Sequence, residues 1–396
     1  MAEKKLRPQH PIKERLGVVG GQAVLEGVMM KNKDRCSVAV RKEDGTVTVI
    51  NSTFTSVRKK HKILNLPLIR GVVNFVEMLI LSFSTLTTSA EALGIDDTEP
   101  ENKFEEWLLK TFGEHLFGAL MFVAGILGVA LALLIFVGLP ALITKGLALL
   151  FHTTFSHFVT SLIEGVLKIA IFIAYLSLVS LMKDIRRTFE YHGAEHKSIF
   201  CYEDGVELTP ENVKKYIRFH PRCGTSFIFI VLIVSILVGA LPFLPANPAW
   251  LRVLCKLALL PLIVGIGYEF IRFAGRHDNA FTRFLSAPGL WIQRLTTKEP
   301  DLEQIAVAIA ALKASMPDEF PGYPTEDDDV MVVTTHSAAK RAEEAAKAAA
   351  AAANEAAETV TEAADAVTDA ADTVVEAAGP VADAAAPSET EESNES

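Results

Sequence analysis

The chain is short of cysteine, of clustered basic charge and of an apolar leader, and each shortage removes a class of protein. Its four cysteines, Cys36, Cys201, Cys223 and Cys255, stand singly and never at C-x-x-C spacing. A disulfide framework is not expected. The opening MAEKKLRPQHPIKERLG is charged and has no apolar core, so a cleavable signal peptide is not expected and insertion must rely on internal segments. No basic block suited to nucleic acid occurs. The formal net charge is −10, but much of the negative charge lies in the C-terminal tail, so the acidic total says little about partners.

What the chain has in excess is apolar sequence. Half of its 396 residues are hydrophobic, and the mean hydropathy is +0.29 although an acidic, Ala-rich tail pulls that average down. Four segments, roughly 116–139, 162–182, 226–244 and 251–270, approach the ~20 residues that cross ~30 Å of hydrocarbon. Pro261 predicts a kink in the fourth, which neighbouring helices can tolerate. Basic residues cluster before the first segment (Arg58, Lys59, Lys60, Lys62), between the second and third (Lys183, Arg186, Arg187, Lys214, Lys215, Arg218, Arg222) and after the fourth (Arg272, Arg276, Arg283, Arg294). The connections around Lys145 and Asn247 are poor in them. Positive charge marks the cytoplasmic side, which places both termini and the 183–225 loop there. Reduced cysteines fit that compartment. A fifth apolar stretch, 66–93, carries Arg70, Asn74 and Glu77 at helical spacing. It is expected to lie at, or dip into, the cytoplasmic interface. The alternative is a span whose polar stripe faces other helices.

The predicted fold class is therefore mainly α, a polytopic membrane protein of about four transmembrane helices plus an interfacial or re-entrant helix. A small N-terminal β element and an acidic C-terminal tail, disordered or weakly helical, complete it. The boundaries follow composition: a flexible leader at 1–16, a β-containing element at 17–60, a membrane domain at 61–298, a short helix at 299–316 and a low-complexity tail at 317–396. In the β element, Ser37–Val40 and Thr46–Ile50 alternate about a hairpin turn at Asp44-Gly45. Gly20, Gly21 and Gly27 read as turn glycines around a strand, or else as points of close backbone approach. Glu26, among apolar neighbours, needs a partner. Trp291 beside Arg294 suits an interface. Asp301 is placed to cap the 299–316 helix, with Gln304 as its reciprocal partner. The tail repeats in seven-residue steps from Val360, too thin in large apolar residues for a firm coiled-coil seam.

The chemistry concentrates in RRTFEYHGAEHKSIFCYEDG, 186–205. It contains H-x-x-E-H: His192, Glu195 and His196. If the second span continues as a helix, the two histidines point from one face and can share a divalent metal, zinc first, at ~2.0–2.1 Å. This is the residue order of the inverted zincin motif, in which the Glu serves as general base toward a water that the metal polarises. Gly193 is costly within a helix, by about 1 kcal/mol, which points to close approach of another helix or of substrate. His220 and Cys223, in FHPRCGTSF, return to the same membrane face and are candidate ligands. So is Glu269, in GYEFIRFAG, whose alternative is a salt bridge to Arg272. Glu203 and Glu26 are further candidates, and Arg222 or Arg70 could neutralise developing negative charge. His277, Asp278 and Asn279 could lie near the same rim, while His152 and His157 fall on the opposite side.

Five motifs in order, GGQAVLEGVMMK, LPLIRG, YHGAEHKSI, HPRCGTSF and GYEFIRFAG, resemble the YqhQ-like family over roughly Gly17 to Ala314. That family comprises bacterial integral membrane proteins that share a domain of unknown function and are often described as metal-dependent enzymes. The resemblance implies a multi-pass protein of the bacterial cell membrane and names no reaction.

Three functional readings follow. The first is a zinc-dependent hydrolase acting at the cytoplasmic face on a lipid or membrane peptide. Glu195 and Arg222 would be its catalytic groups, with His192, His196, His220, Cys223 and Glu269 as candidate ligands. The second is a non-enzymatic scaffold or regulator stapled by a closed His/Cys metal clip. The third is a small transporter, on account of Glu164 and Lys168 within a span. Membrane lipid is the expected partner in each.

Overall fold

The structure is a computed structural model and describes residues 6–8, 11–94, 123, 126–241, 249–274, 280–323 and 330–334. The tail beyond 334 and the triplet His277, Asp278 and Asn279 lie outside the described residues, as does most of the N-terminal part of the first expected span.

A five-stranded antiparallel meander forms the polar end of the chain: β1 Val19–Val24, β2 Gly27–Asn32, β3 Arg35–Arg41, β4 Thr46–Thr53 and β5 Val330–Thr334, in that spatial order. The GVVGGQAVLEGVMM run folds into a tight hairpin, with Val24 paired to Gly27 and Glu26 held at φ 48°. Asp44 shapes the next hairpin by accepting from the Thr46 backbone N–H at 2.8 Å. β5 comes from a stretch that the sequence reading assigned to the tail. Its Val-Met-Val-Val run pairs with β4 from Thr46 to Ile50.

Period-two alternation gives the sheet two apolar faces. Val28, Met30, Ala39, Val47 and Val49 pack on helices α4 (Lys183–Glu203) and α10 (Leu302–Ala314). Val24, Met29, Cys36, Val38 and Val40 meet Leu81 of α1 (Ile69–Ala92) on the other side. Helix α10 is buried nearly all round, and small Ala side chains at positions 306, 308, 310 and 311 let it sit close to the sheet. Its N-terminus carries the expected capping box: Asp301 accepts from the Gln304 N–H at 2.7 Å, and Gln304 accepts from the Asp301 N–H at 2.9 Å.

Three helices among the described residues are long and apolar enough to cross a membrane: α1, α2 (126–150) and α3 (His157–Val179). α2 and α3 fall on the first two of the four expected spans, and α1 on the stretch expected at the interface. The first expected span runs on to Leu150, widening to a π turn at Leu134–Gly138 just before Pro140, whose ring would otherwise collide with the preceding turn. The third appears as the apolar but shorter α6 (Gly224–Gly239). The fourth is divided at Leu259, ahead of Pro261, into α7 (Ala249–Ala258) and α8 (Leu260–Ala274). The 66–93 stretch, expected at the interface, forms α1 and lays Leu81, Thr85 and Ser89 toward the sheet while Ile80 and Phe83 stay exposed. Glu164 of α3 pairs with Lys256 of α7 at 3.3 Å, so this buried charge joins two helices.

Candidate metal centre

The second apolar helix does not continue straight into the motif helix. α3 ends at Val179, Ser180 to Met182 form a turn, and α4 begins at Lys183. The four-residue spacing of His192 and His196 survives this break because both lie within α4. Their ring centroids are 4.4 Å apart. Cys223 reaches them from the N-cap of α6, its Sγ 3.2 Å from His192 Nε2. The donor atoms of His192, His196 and Cys223 all lie within 4.8 Å of one another, so the cluster can hold a metal ion.

Backbone carbonyls set the histidine tautomers. His192 Nδ1–H donates to Thr296 O at 2.8 Å, and His196 Nδ1–H donates to Arg218 O at 2.5 Å. Each Nε2 is thereby left with its lone pair toward the other donors, the usual outer support of a metal-bound imidazole. One thiolate and two imidazoles are borderline-soft donors of the kind zinc takes. Glu195 Oε2 lies 3.7 Å from His192 Nε2 and 3.6 Å from His196 Nε2, and the side chain is 6% exposed.

Electrostatics follow from this packing. Burial pushes the Glu195 carboxyl up, against the pull of both imidazoles and a hydrogen bond from the Gly21 N–H. Burial also opposes the Cys223 thiolate, but His192 and His196 hold its pKa well below that of a free thiol. The N-terminus of α6 favours the same negative charge. Burial would lower His192, yet Cys223 and then Glu195 and Thr296 bring it up to about 9.

The remaining candidates fall elsewhere. His220 is buried against Phe200 and beside the His196 ring, but its Nδ1 accepts from the Arg222 N–H at 3.3 Å and its Nε2 faces the Arg222 guanidinium. Burial, then Arg222, keeps it neutral. Arg222 is itself paired with Glu203, which also accepts from the Gly17 N–H at 2.9 Å. Glu269 forms a two-pronged pair with Arg70 of α1, in place of the expected partner Arg272. Glu26 finds the partner it needs in Arg187, with Tyr191 Oη at 3.2 Å. His157 sits at the far end of α3, beside Leu241 O at 3.1 Å, and His152 is exposed nearby.

Three supporting groups escaped the sequence reading. Gln293 bonds the backbone N–H and the carbonyl of His220, both at 2.7 Å, and Ser226 Oγ at 3.0 Å, bracing the turn that carries Cys223. Thr296 and Arg218 act through their carbonyls, which no side-chain pattern reveals. Two glycines let these layers close. A Cβ on Gly193 would collide with the Lys298 carbonyl, and one on Gly21 would lie 2.7 Å from Glu195 Cγ and 2.8 Å from Met29 O. Both are points of close approach, the first to another segment of the chain and the second to the acid of the motif.

Residues 66–318 match the family described as "Protein of unknown function (DUF1385)". The chain is 35% identical over 291 residues to "Uncharacterized protein YqhQ" of Bacillus subtilis (strain 168), covering 73% of this chain and 89% of that protein. No solved structure matches it. With a family match spanning most of its length and a relative aligned nearly end to end, the chain belongs to the DUF1385, YqhQ-like family.

Proposed function

We propose that this protein is a metal-dependent hydrolase of the cell membrane, with its active centre at the cytoplasmic face and a lipid or membrane peptide as substrate. The observation that carries the reading is the meeting of His192, His196 and Cys223 within 4.8 Å, with Glu195 Oε2 beside both imidazoles. Those three side chains would hold zinc or another divalent metal. When bound, such an ion supplies Lewis-acid polarisation of a carbonyl or phosphoryl oxygen and makes water more acidic.

The chain's own residues do the rest. Thr296 and Arg218 fix the imidazole tautomers through their carbonyls. Glu195, desolvated and held by the Gly21 N–H, has a raised proton affinity that suits a carboxylate taking a proton from water at Oε2 and returning it to a leaving group. Three protein donors would hold such an ion with fewer ligands than a closed structural site uses, which would leave room for substrate beside it. Arg222, already paired with Glu203, helps through charge rather than contact. The apolar helices and the basic residues around the 183–225 loop support a multi-pass arrangement with that loop, and both termini, in the cytoplasm.

A closed structural site is the second reading, favoured by the burial of Glu195 within reach as a fourth donor. Metal content separates the two. Purified wild type should carry close to one equivalent of metal and His196→Ala should lose it. Glu195→Gln should keep the metal under the hydrolase reading and release it under the closed-site reading. A wild type that binds no divalent metal after dialysis against it would sink both. The pairing of Glu164 with Lys256 supports helix joining over a transport role.

A further inference from the structure

A cavity of 280 Å³ lies where the β2–β3 turn, the segment before α1 and the first turns of α1 meet, and none of its lining residues belongs to the metal centre. Four cations line it, Lys31, Lys33, Arg58 and Lys59, against two carboxylates, Asp34 and Glu77. Both acids are already engaged. Asp34 pairs with Lys59. Glu77 accepts from Ser56 Oγ at 2.8 Å and the Val57 N–H at 2.8 Å, with Arg58 at 3.9 Å. Lys31 and Lys33 have no carboxylate partner among the described residues. Lys31 Nζ donates to Phe54 O at 2.9 Å and lies 4.9 Å from the Phe54 ring centroid. Lys33 is exposed on a turn at φ 52°. The cavity therefore has an excess of two positive charges.

The cavity has an apolar edge: Val57, between the lining residues Ser56 and Arg58, is exposed to 47%, and Met78, which lines it, to 37%. The broader exposed face of α1, Leu79, Ile80 and Phe83, begins beyond Met78, on the side of the helix away from Asn74 and Glu77. Cationic side chains beside exposed apolar ones are what a membrane-surface segment offers to an anionic amphiphile. A free phosphate or an acidic peptide would answer the charge and leave Val57 and Met78 in water. We infer that this cavity is a binding site for the headgroup of an anionic phospholipid, whose phosphate sits between Lys31 and Lys33 while its acyl chains pass over Met78 toward the exposed face of α1. The site seats the sheet layer on the membrane surface. The inference rests on the membrane reading above and is independent of the metal chemistry.

The test uses the full chain in detergent micelles, with lipid binding followed by native mass spectrometry and by the unfolding temperature. Phosphatidylglycerol should bind and raise the unfolding temperature, phosphatidylcholine should do neither to the same degree, and added salt should weaken the difference. Lys31→Gln with Lys33→Gln should weaken phosphatidylglycerol binding about thirtyfold, as expected for two cations lost beside an anionic surface, with metal content unchanged. Should the double variant misfold, as judged by lost metal, Lys33→Glu at the exposed turn must still reduce phosphatidylglycerol binding. Equal binding of the two lipids, or undiminished phosphatidylglycerol binding by Lys33→Glu, overturns the inference. So does inorganic phosphate or polyglutamate that stabilises as well as phosphatidylglycerol. Loss of lipid selectivity with metal intact leaves the hydrolase reading standing, and loss of metal with selectivity intact leaves this one.

Discussion

Gly193→Ala sets two effects of opposite sign against each other. In an open helix the change would stabilise by about 1 kcal/mol, because Gly is the poorer helix former. Here the new methyl would lie closer than 3.0 Å to the Lys298 carbonyl oxygen and 3.3 Å from Pro300 Cδ. The obstacle is backbone and cannot swing aside as a side-chain tip would. That segment is pinned by the Lys298 N–H donating to Phe189 O at 2.8 Å and the Thr297 N–H donating to Gln293 O at 2.9 Å. Overpacking costs about 1–3 kcal/mol, and losing the Lys298–Phe189 bond together with a loosened His192–Thr296 bond costs about 1 kcal/mol each. After the helix gain the expected loss is about 2–4 kcal/mol in denaturant unfolding. Because Thr296 O orients His192, metal affinity in a chelator competition should also fall by about 10–100-fold. A Gly193→Ala protein at least as stable as wild type, with undiminished metal affinity, would refute the reasoning, since it would mean that α4 does not press on the 298 segment.

Gly21→Ala should displace Glu195, the Met29 carbonyl and the Met30 sulfur together, lowering any turnover severalfold while metal content holds, measured by metal analysis beside activity. Glu269→Gln should leave metal content unchanged, because its carboxylate pairs with Arg70, and a loss of metal would return Glu269 to the ligand set. In metal-free protein the proton balance can be read from stability against pH. The raised His192 pKa contributes stability that is full below about 6.5 and lost as pH rises through about 9. The lowered Cys223 pKa contributes stability that is full above about 9 and lost as pH falls. The two slopes cancel between those values, so in Glu195→Gln, which removes the opposing titration of that raised carboxyl, unfolding temperature should be flat from about pH 6.5 to about pH 9 and fall on acidification below that. A steady slope across the window would show that no imidazolium–thiolate pair forms.

The part of the centre legible in the sequence was the part set by local geometry. His192, Glu195 and His196 share one helical turn, so spacing alone brings them together. The choice between His220 and Cys223 depends on a turn whose direction Gln293 fixes from 73 positions away in the chain. No local pattern carries that. Glu269 reads as a metal ligand or as the partner of Arg272 on its own helix, and instead pairs with Arg70, 199 positions earlier, because α1 and α8 meet at Gly71 and Gly265. The capping box of α10 and the Asp44-Gly45 hairpin were readable because they close within a few residues. β1 and β2 were blurred because the glycines that mark their hairpin also serve contacts to distant layers. Length and apolarity identify α3 to within a few residues and α2 only in part, since that helix runs on through Lys145 to Leu150, while Pro261 divides a run that hydropathy alone joins.

The sheet supplies more to the candidate metal centre than a floor. The region matched to the family begins at residue 66, whereas the amide that holds the central acid belongs to Gly21. A fragment cut at that boundary would keep every imidazole and the thiol, yet leave Glu195 facing the space that β1 now fills. Such a fragment could still capture a metal and would no longer control where its proton goes, so the working unit of this protein starts at its first hairpin.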